Sequence, residues 1–76
     1  MATTNLKRIR EGLNPKVSQE DMARAAGITL ATYRKAESGQ NVSFTTAQSI
    51  LKAVNAALEA RGKPPVGVFD LGLSIV

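Results

Sequence analysis

The sequence contains no cysteine and no histidine in its 76 residues. Without cysteine, neither a disulfide nor a thiolate metal site can reinforce the fold. That absence also fits a cytoplasmic protein. With histidine missing too, zinc sites of the usual kind and histidine-based acid–base catalysis are excluded. No apolar run approaches the roughly 20 residues that a membrane span needs. Residues 1–10 contain no apolar segment of the kind a secretory signal requires. Repeats and low-complexity tracts are absent as well. The six glycines are scattered as helix stops and turn formers, so no glycine-rich phosphate loop exists. Glu20 and Asp21 are neighbours, but adjacent residues on a helix do not face each other. They read as partners of a helix dipole, and not as a catalytic carboxylate pair. No enzyme activity, no cofactor, no metal and no membrane partner is expected.

The length allows one domain. A chain this short buries only about 60% of its unfolded surface, so its core must come from well-patterned helices. Ten basic residues against six acidic ones give a net charge of +4, and the sequence pI is about 10.0. Such a balance favours a polyanionic partner but needs a motif beside it.

Glycine and proline punctuation divides the chain into segments of helical length. Residues 4–11 place Leu6, Ile9 and Leu13 at helical spacing, with Gly12 as the stop. Residues 14–17 read as a loop, because Pro15 pushes the preceding residue out of the α region. Ser18 can cap a second helix whose buried face is Met22, Ala23 and Ala26. Gly27 ends it in a left-handed conformation. Ile28 follows as a buried anchor, and Thr29 caps a third helix over residues 29–37. Tyr33 and Ala36 face inward there, while Leu30, Ala31, Arg34 and Lys35 face outward. Ser43 can cap a fourth helix reaching as far as Arg61, with Phe44, Ala47, Ile50, Leu51, Val54 and Leu58 as its apolar stripe. Residues 66–71 can form a short fifth helix. Residues 73–76 are an apolar tail suited to an extended strand, although no sheet within one subunit is expected.

Residues 19–38, QEDMARAAGITLATYRKAES, resemble the helix-turn-helix of phage repressor and Cro-type (Xre-like) regulators. The likeness is tight over this unit and looser over residues 6–58. Physical reasons support the pattern independently. Two helices that cross steeply over a short turn need a small residue at their contact, and Ala23 supplies it. The turn needs a residue tolerant of positive φ, and Gly27 supplies it. Met22, Ala26, Ile28, Tyr33 and Ala36 plug the junction. Tyr33 stands where an aliphatic residue is common and Ala36 where a larger one is, a size exchange that conserves core volume. The tyrosine hydroxyl is expected to reach water or a partner. The expected fold is therefore all-α: a four- to five-helix repressor-type domain over residues 1–72 with the motif at 18–38, followed by the tail at 73–76.

An α-helix fits the major groove, where each base pair shows its own donor and acceptor pattern. The resemblance implies that the N-terminal part of the second motif helix meets the bases. The expected base contacts are Leu30, Ala31, Arg34 and Lys35, with Arg34 able to bond guanine O6 and N7 together. The expected phosphate contacts are Gln19, Thr29, Thr32, Gln40, Asn41 and Ser43. Gln19 is placed at the backbone by the resemblance, and so is the loop carrying Gln40, Asn41 and Ser43. Family members often carry more positive charge in that loop than this chain does. Arg24 and Lys16 read as solvated. The resemblance also implies a partly buried ion pair between Arg8 and Glu37.

The expected function is sequence-specific transcriptional regulation on double-stranded DNA, as a repressor that binds a palindromic operator as a homodimer. One subunit contacts one half-site, and half-sites lie about 34–36 Å apart. The tail is the natural dimer contact. The same motif also occurs in antitoxins that bind a toxin protein and autoregulate their operon, and in controller proteins of restriction–modification operons. The sequence leaves these alternatives open. It also leaves open control by a second protein, such as an antirepressor.

Overall fold

Among the described residues, four α-helices each begin at a serine or threonine that closes the first turn. Residues 4–76 are described by a computed structural model. The side-chain oxygens of Thr4, Ser18, Thr29 and Ser43 accept from the backbone N–H groups of Lys7, Asp21, Thr32 and Thr46. Each cap satisfies a donor that the helix itself cannot, worth about 0.5–2 kcal/mol. The helices they open are α1 (Asn5–Glu11), α2 (Gln19–Ala26), α3 (Leu30–Glu37) and α4 (Phe44–Glu59). A two-residue strand β1 (Asn41–Val42) lies between α3 and α4, and a 3-10 turn (Val68–Leu71) and a strand β2 (Ser74–Ile75) follow α4.

The three shorter helices span only 7 or 8 residues, too few to persist alone. Packing holds them. The core gathers Leu6 and Leu13 from α1 and its exit, Met22 and Ala23 from α2, Tyr33 and Ala36 from α3, and Ile50, Val54 and Leu58 from α4. Leu71 of the 3-10 turn is fully buried and closes the core. Asn55 fastens this last segment to α4: its side-chain amide accepts from the Val66 N–H at 2.8 Å and donates to the Val66 carbonyl at 3.1 Å. At the far end of α4, Arg61 donates to the carbonyls of Ala57 and Pro15, which ties the loop of residues 14–17 to the helix.

The α2–α3 turn follows from Gly27, which sits at φ 71° and ψ 29°. Its N–H donates to the Arg24 carbonyl, and the Ile28 N–H reaches back to the Ala23 carbonyl. This paired closure requires a left-handed residue at Gly27. Gly39, at φ 87°, ends α3 in the same way.

Several expectations are corrected. A sheet does exist within the chain: β2 pairs with β1 in parallel, Ser74 opposite Asn41 and Ile75 opposite Val42. The tail is not an exposed apolar end, since Leu73 and Ile75 are half-buried against the core and Val76 alone of its apolar residues is exposed. Alternation along the extended end places Leu73 and Ile75 on one side. Phe44, expected in the stripe of α4, is exposed as the first residue of the helix, and the buried stripe begins at Ala47. The fifth helix is a single 3-10 turn. Tyr33 is fully buried, so its hydroxyl does not reach the surface, and among the described residues its oxygen makes no hydrogen bond. Among the described residues, no helix is long and apolar enough to cross a membrane.

A Cβ at Gly27 would meet no atom within 4 Å, so substitution there is opposed by backbone conformation alone. Gly27→Val is expected to destabilise the protein by about 1–2 kcal/mol or more, and Gly27→Asn by less, because asparagine tolerates the left-handed region. Thermal melting of the two variants checks this ranking.

Candidate nucleic-acid interface

The outer face of α3 is set by a buried ion pair at its C-terminal end. Glu37 is 3% exposed. Its carboxylate receives two bonds from Arg10, Nε to Oε2 at 2.5 Å and Nη2 to Oε1 at 3.2 Å. The third guanidinium nitrogen, Nη1, donates to the Val17 carbonyl at 3.1 Å, just ahead of α2. The main-chain carbonyl of Glu37 accepts from the Thr4 hydroxyl at 2.8 Å. One buried cluster thus holds α1, the entry to α2 and the end of α3 in fixed relation.

The resemblance implied Arg8 as the partner of Glu37, and the structure places Arg10 there. Helical geometry explains the difference. Arg10 is four residues after Leu6 and three before Leu13, so it shares their inward face. Arg8 is rotated some 200° from Arg10 at about 100° per residue, and it is exposed.

Burial by itself raises the pKa of Glu37. Hydrogen bonds from Arg10 and Gln19, with the charge of Arg10, outweigh it and leave the carboxyl below its ordinary value. The Arg10 guanidinium is raised in turn, chiefly by its bond to Glu37. The Tyr33 hydroxyl is pushed up, first by burial and then by the neighbouring carboxylate, although among the described residues it makes no hydrogen bond.

The cluster extends outward to α3's exposed face. Gln19, the first residue of α2, donates from Nε2 to Glu37 Oε1 at 2.9 Å, and its Oε1 accepts from Arg34 Nε at 3.4 Å. Arg34 is therefore steered through Gln19 by a buried carboxylate. Among the described residues its two terminal nitrogens make no hydrogen bond, which leaves the end of the guanidinium fork available. Ala31, Arg34 and Lys35 are exposed on α3, and Leu30 is half-buried at its start. These four expected base contacts share one helix and its outer side.

The expected phosphate contacts divide into two groups. Gln19, Thr29 and Thr32 lie at the α2 and α3 N-termini. Thr29 is exposed, but its hydroxyl is engaged: it caps α3 and donates to Thr32 Oγ1 at 2.8 Å. The Thr32 hydroxyl keeps a proton to donate outward. Gln40, Asn41 and Ser43 are exposed in the loop after α3. Ser43 repeats the arrangement of Thr29, capping α4 and donating to Thr46 Oγ1 at 3.0 Å. Thr46 thereby becomes a hydroxyl donor that sequence reasoning missed; a cap three residues before a threonine was the available signal. Arg24 pairs with Asp21 at 3.3 Å on a solvated surface, where such a bond contributes little.

Because Glu37 is held below its ordinary pKa of 4.5, its contribution to stability is present above that value. It is lost as pH falls through the lower folded-state pKa. Melting temperature measured from pH 7 to pH 3 should drop across this acidic window. Glu37→Gln should remove that component of the drop and lower stability at pH 7, with about 3–5 kcal/mol as the upper range for breaking a buried pair.

A helix-turn-helix family model matches residues 6–60, most of the chain. No curated protein and no solved structure matches it significantly. The matched span runs from α1 through α4 and contains both helices around the Gly27 turn, the Arg10–Glu37 pair and the outward face of α3. The chain belongs to the helix-turn-helix family of Cro/C1-type, Xre-like DNA-binding transcriptional regulators.

Proposed function

We propose that this protein is a repressor that binds a palindromic operator as a homodimer and reads bases in the major groove with α3. The observation that carries the reading is the exposed fork of Arg34, aimed from α3 by a chain of bonds that begins at a buried carboxylate. Arg34 takes a guanine through O6 and N7, and Lys35 takes a neighbouring guanine or a phosphate. Ala31 and Leu30 pack on thymine methyl groups. Gln19, Thr32, Gln40 and Asn41 fix the register on the backbone through neutral side-chain donors, and Thr29 and Ser43 contribute by directing the hydroxyls of Thr32 and Thr46. The net charge of +4 adds a sequence-independent attraction.

Homodimerisation is supported by geometry. The body measures 31 × 23 × 21 Å, so two copies side by side can place their α3 helices one duplex turn, about 34 Å, apart. Phe69, 92% exposed, puts apolar surface on the C-terminal segment where a second copy can cover it. Repression needs only occupancy of the operator, and the site of action is the cytoplasm, where bacterial and phage operators lie.

Selection from random duplex DNA tests the reading. A palindromic motif is expected, with affinity falling as salt rises. Arg34→Ala should relax one position of each half-site at a cost of about 1–3 kcal/mol. Binding that is equal on all duplexes, or a loss in Arg34→Ala that is the same on every sequence, would contradict base readout by this residue.

A further inference from the structure

We infer that the C-terminal strand β2 positions the loop after α3 for the DNA backbone, an inference that rests on the DNA-binding reading above. The loop leaves α3 through Gly39 at φ 87° and enters α4 at the Ser43 cap. Between these points lie Gln40, Asn41 and Val42. Val42 is buried, while the Gln40 N–H donates to the Lys35 carbonyl at 3.0 Å and its side-chain amide to the Ser38 hydroxyl at 3.3 Å.

Asn41 and Val42 are held in addition from the far end of the chain. Ser74 and Ile75 pair with Asn41 and Val42, and the Val76 N–H donates to the Val42 carbonyl at 3.0 Å. A two-residue strand has no stability of its own, so its partner must be held by something else. Leu71 holds it, being fully buried. Gly72, at φ 67°, then turns the chain so closely past α1 that a Cβ there would lie 3.4 Å from the Asn5 nitrogen. The tail is thus pinned in the core at one end and laid along the loop at the other.

Gln40 and Asn41 offer neutral donors, and a loop already ordered in its bound shape loses less entropy on binding. Neutral contacts release no counterions, so loosening the loop should weaken binding without altering its salt dependence. It should also weaken binding equally on every sequence, because phosphate contacts carry no sequence information.

Val76→Pro isolates the effect. It deletes the N–H that bonds Val42 and removes only an exposed side chain. Val76→Ala keeps the N–H and serves as control. Binding is measured on a duplex carrying one half-site, at protein concentrations where the protein is monomeric, so that dimerisation does not contribute. Amide exchange over residues 40–43 is followed in parallel. Val76→Pro should bind about 3- to 10-fold more weakly, the loss of roughly one hydrogen bond. The salt slope should be unchanged, the loop amides should exchange faster, and Val76→Ala should match wild type. Equal half-site binding by Val76→Pro, an equal loss in Val76→Ala, or a loss without faster loop exchange would overturn the inference. A loss confined to the full palindrome would also overturn it and make the tail a dimer contact alone. Wild type that binds no duplex would instead remove the DNA-binding reading on which the inference rests.

Discussion

A carboxylate taken out of water at the end of a short helix must be compensated, and the way Glu37 is compensated determines where α3 can point. Arg10 supplies a two-bond fork from α1, Gln19 supplies an amide from α2, and Thr4 ties the adjacent carbonyl. Arg10 and Thr4 belong to α1 and its cap, and Gln19 to the start of α2. If α3 rotated or slid, a buried charge would be left unpaired, which costs far more than an exposed ion pair can return. A buried pair of this kind adds little net stability compared with apolar packing. Its value here is geometric, because it converts the burial cost of one charge into a fixed orientation for an eight-residue helix.

The same cluster links structure to recognition. Gln19 uses both ends of its amide, one on Glu37 and one on Arg34. A side chain on the exposed face is thereby partly ordered before DNA arrives. Arginine has about 2 kcal/mol of rotamer entropy to lose, and ordering in advance reduces what docking must spend. On the other side of α3, the Gly39 turn hands the chain to a loop that short-range structure alone does not hold, and the parallel pairing with the tail completes it. The helix and the loop are thus fixed by long-range contacts at both ends.

Much of this was legible in the sequence because it is local. Serine and threonine caps, the Gly27 turn and the small Ala23 at the helix crossing are each dictated within a few residues, and the helices begin where those signals lie. The outward positions of α3 followed from periodicity. What escaped was non-local. The partner of Glu37 was placed at Arg8 when the spacing from Leu6 and Leu13 favours Arg10, so that signal was present and unused. The pairing of Ser74–Ile75 with Asn41–Val42 joins segments more than thirty residues apart, and two-residue strands leave no periodic trace. The exposure of Phe44 depends on where the core ends, which the helical stripe does not show. The buried, unpartnered Tyr33 hydroxyl likewise depends on packing around the whole ring.

The account stands most directly on which surface meets DNA. Backbone and side-chain NMR signals, followed while isotopically labelled protein is titrated with its selected duplex, report this residue by residue. The account predicts large shifts at Gln19, at the amides of Leu30–Glu37, at the Arg34 guanidinium and at residues 40–43, with the Val66 and Leu71 signals nearly unmoved. Shifts centred on the C-terminal half of α4 or the 3-10 turn, with α3 unmoved, would contradict it.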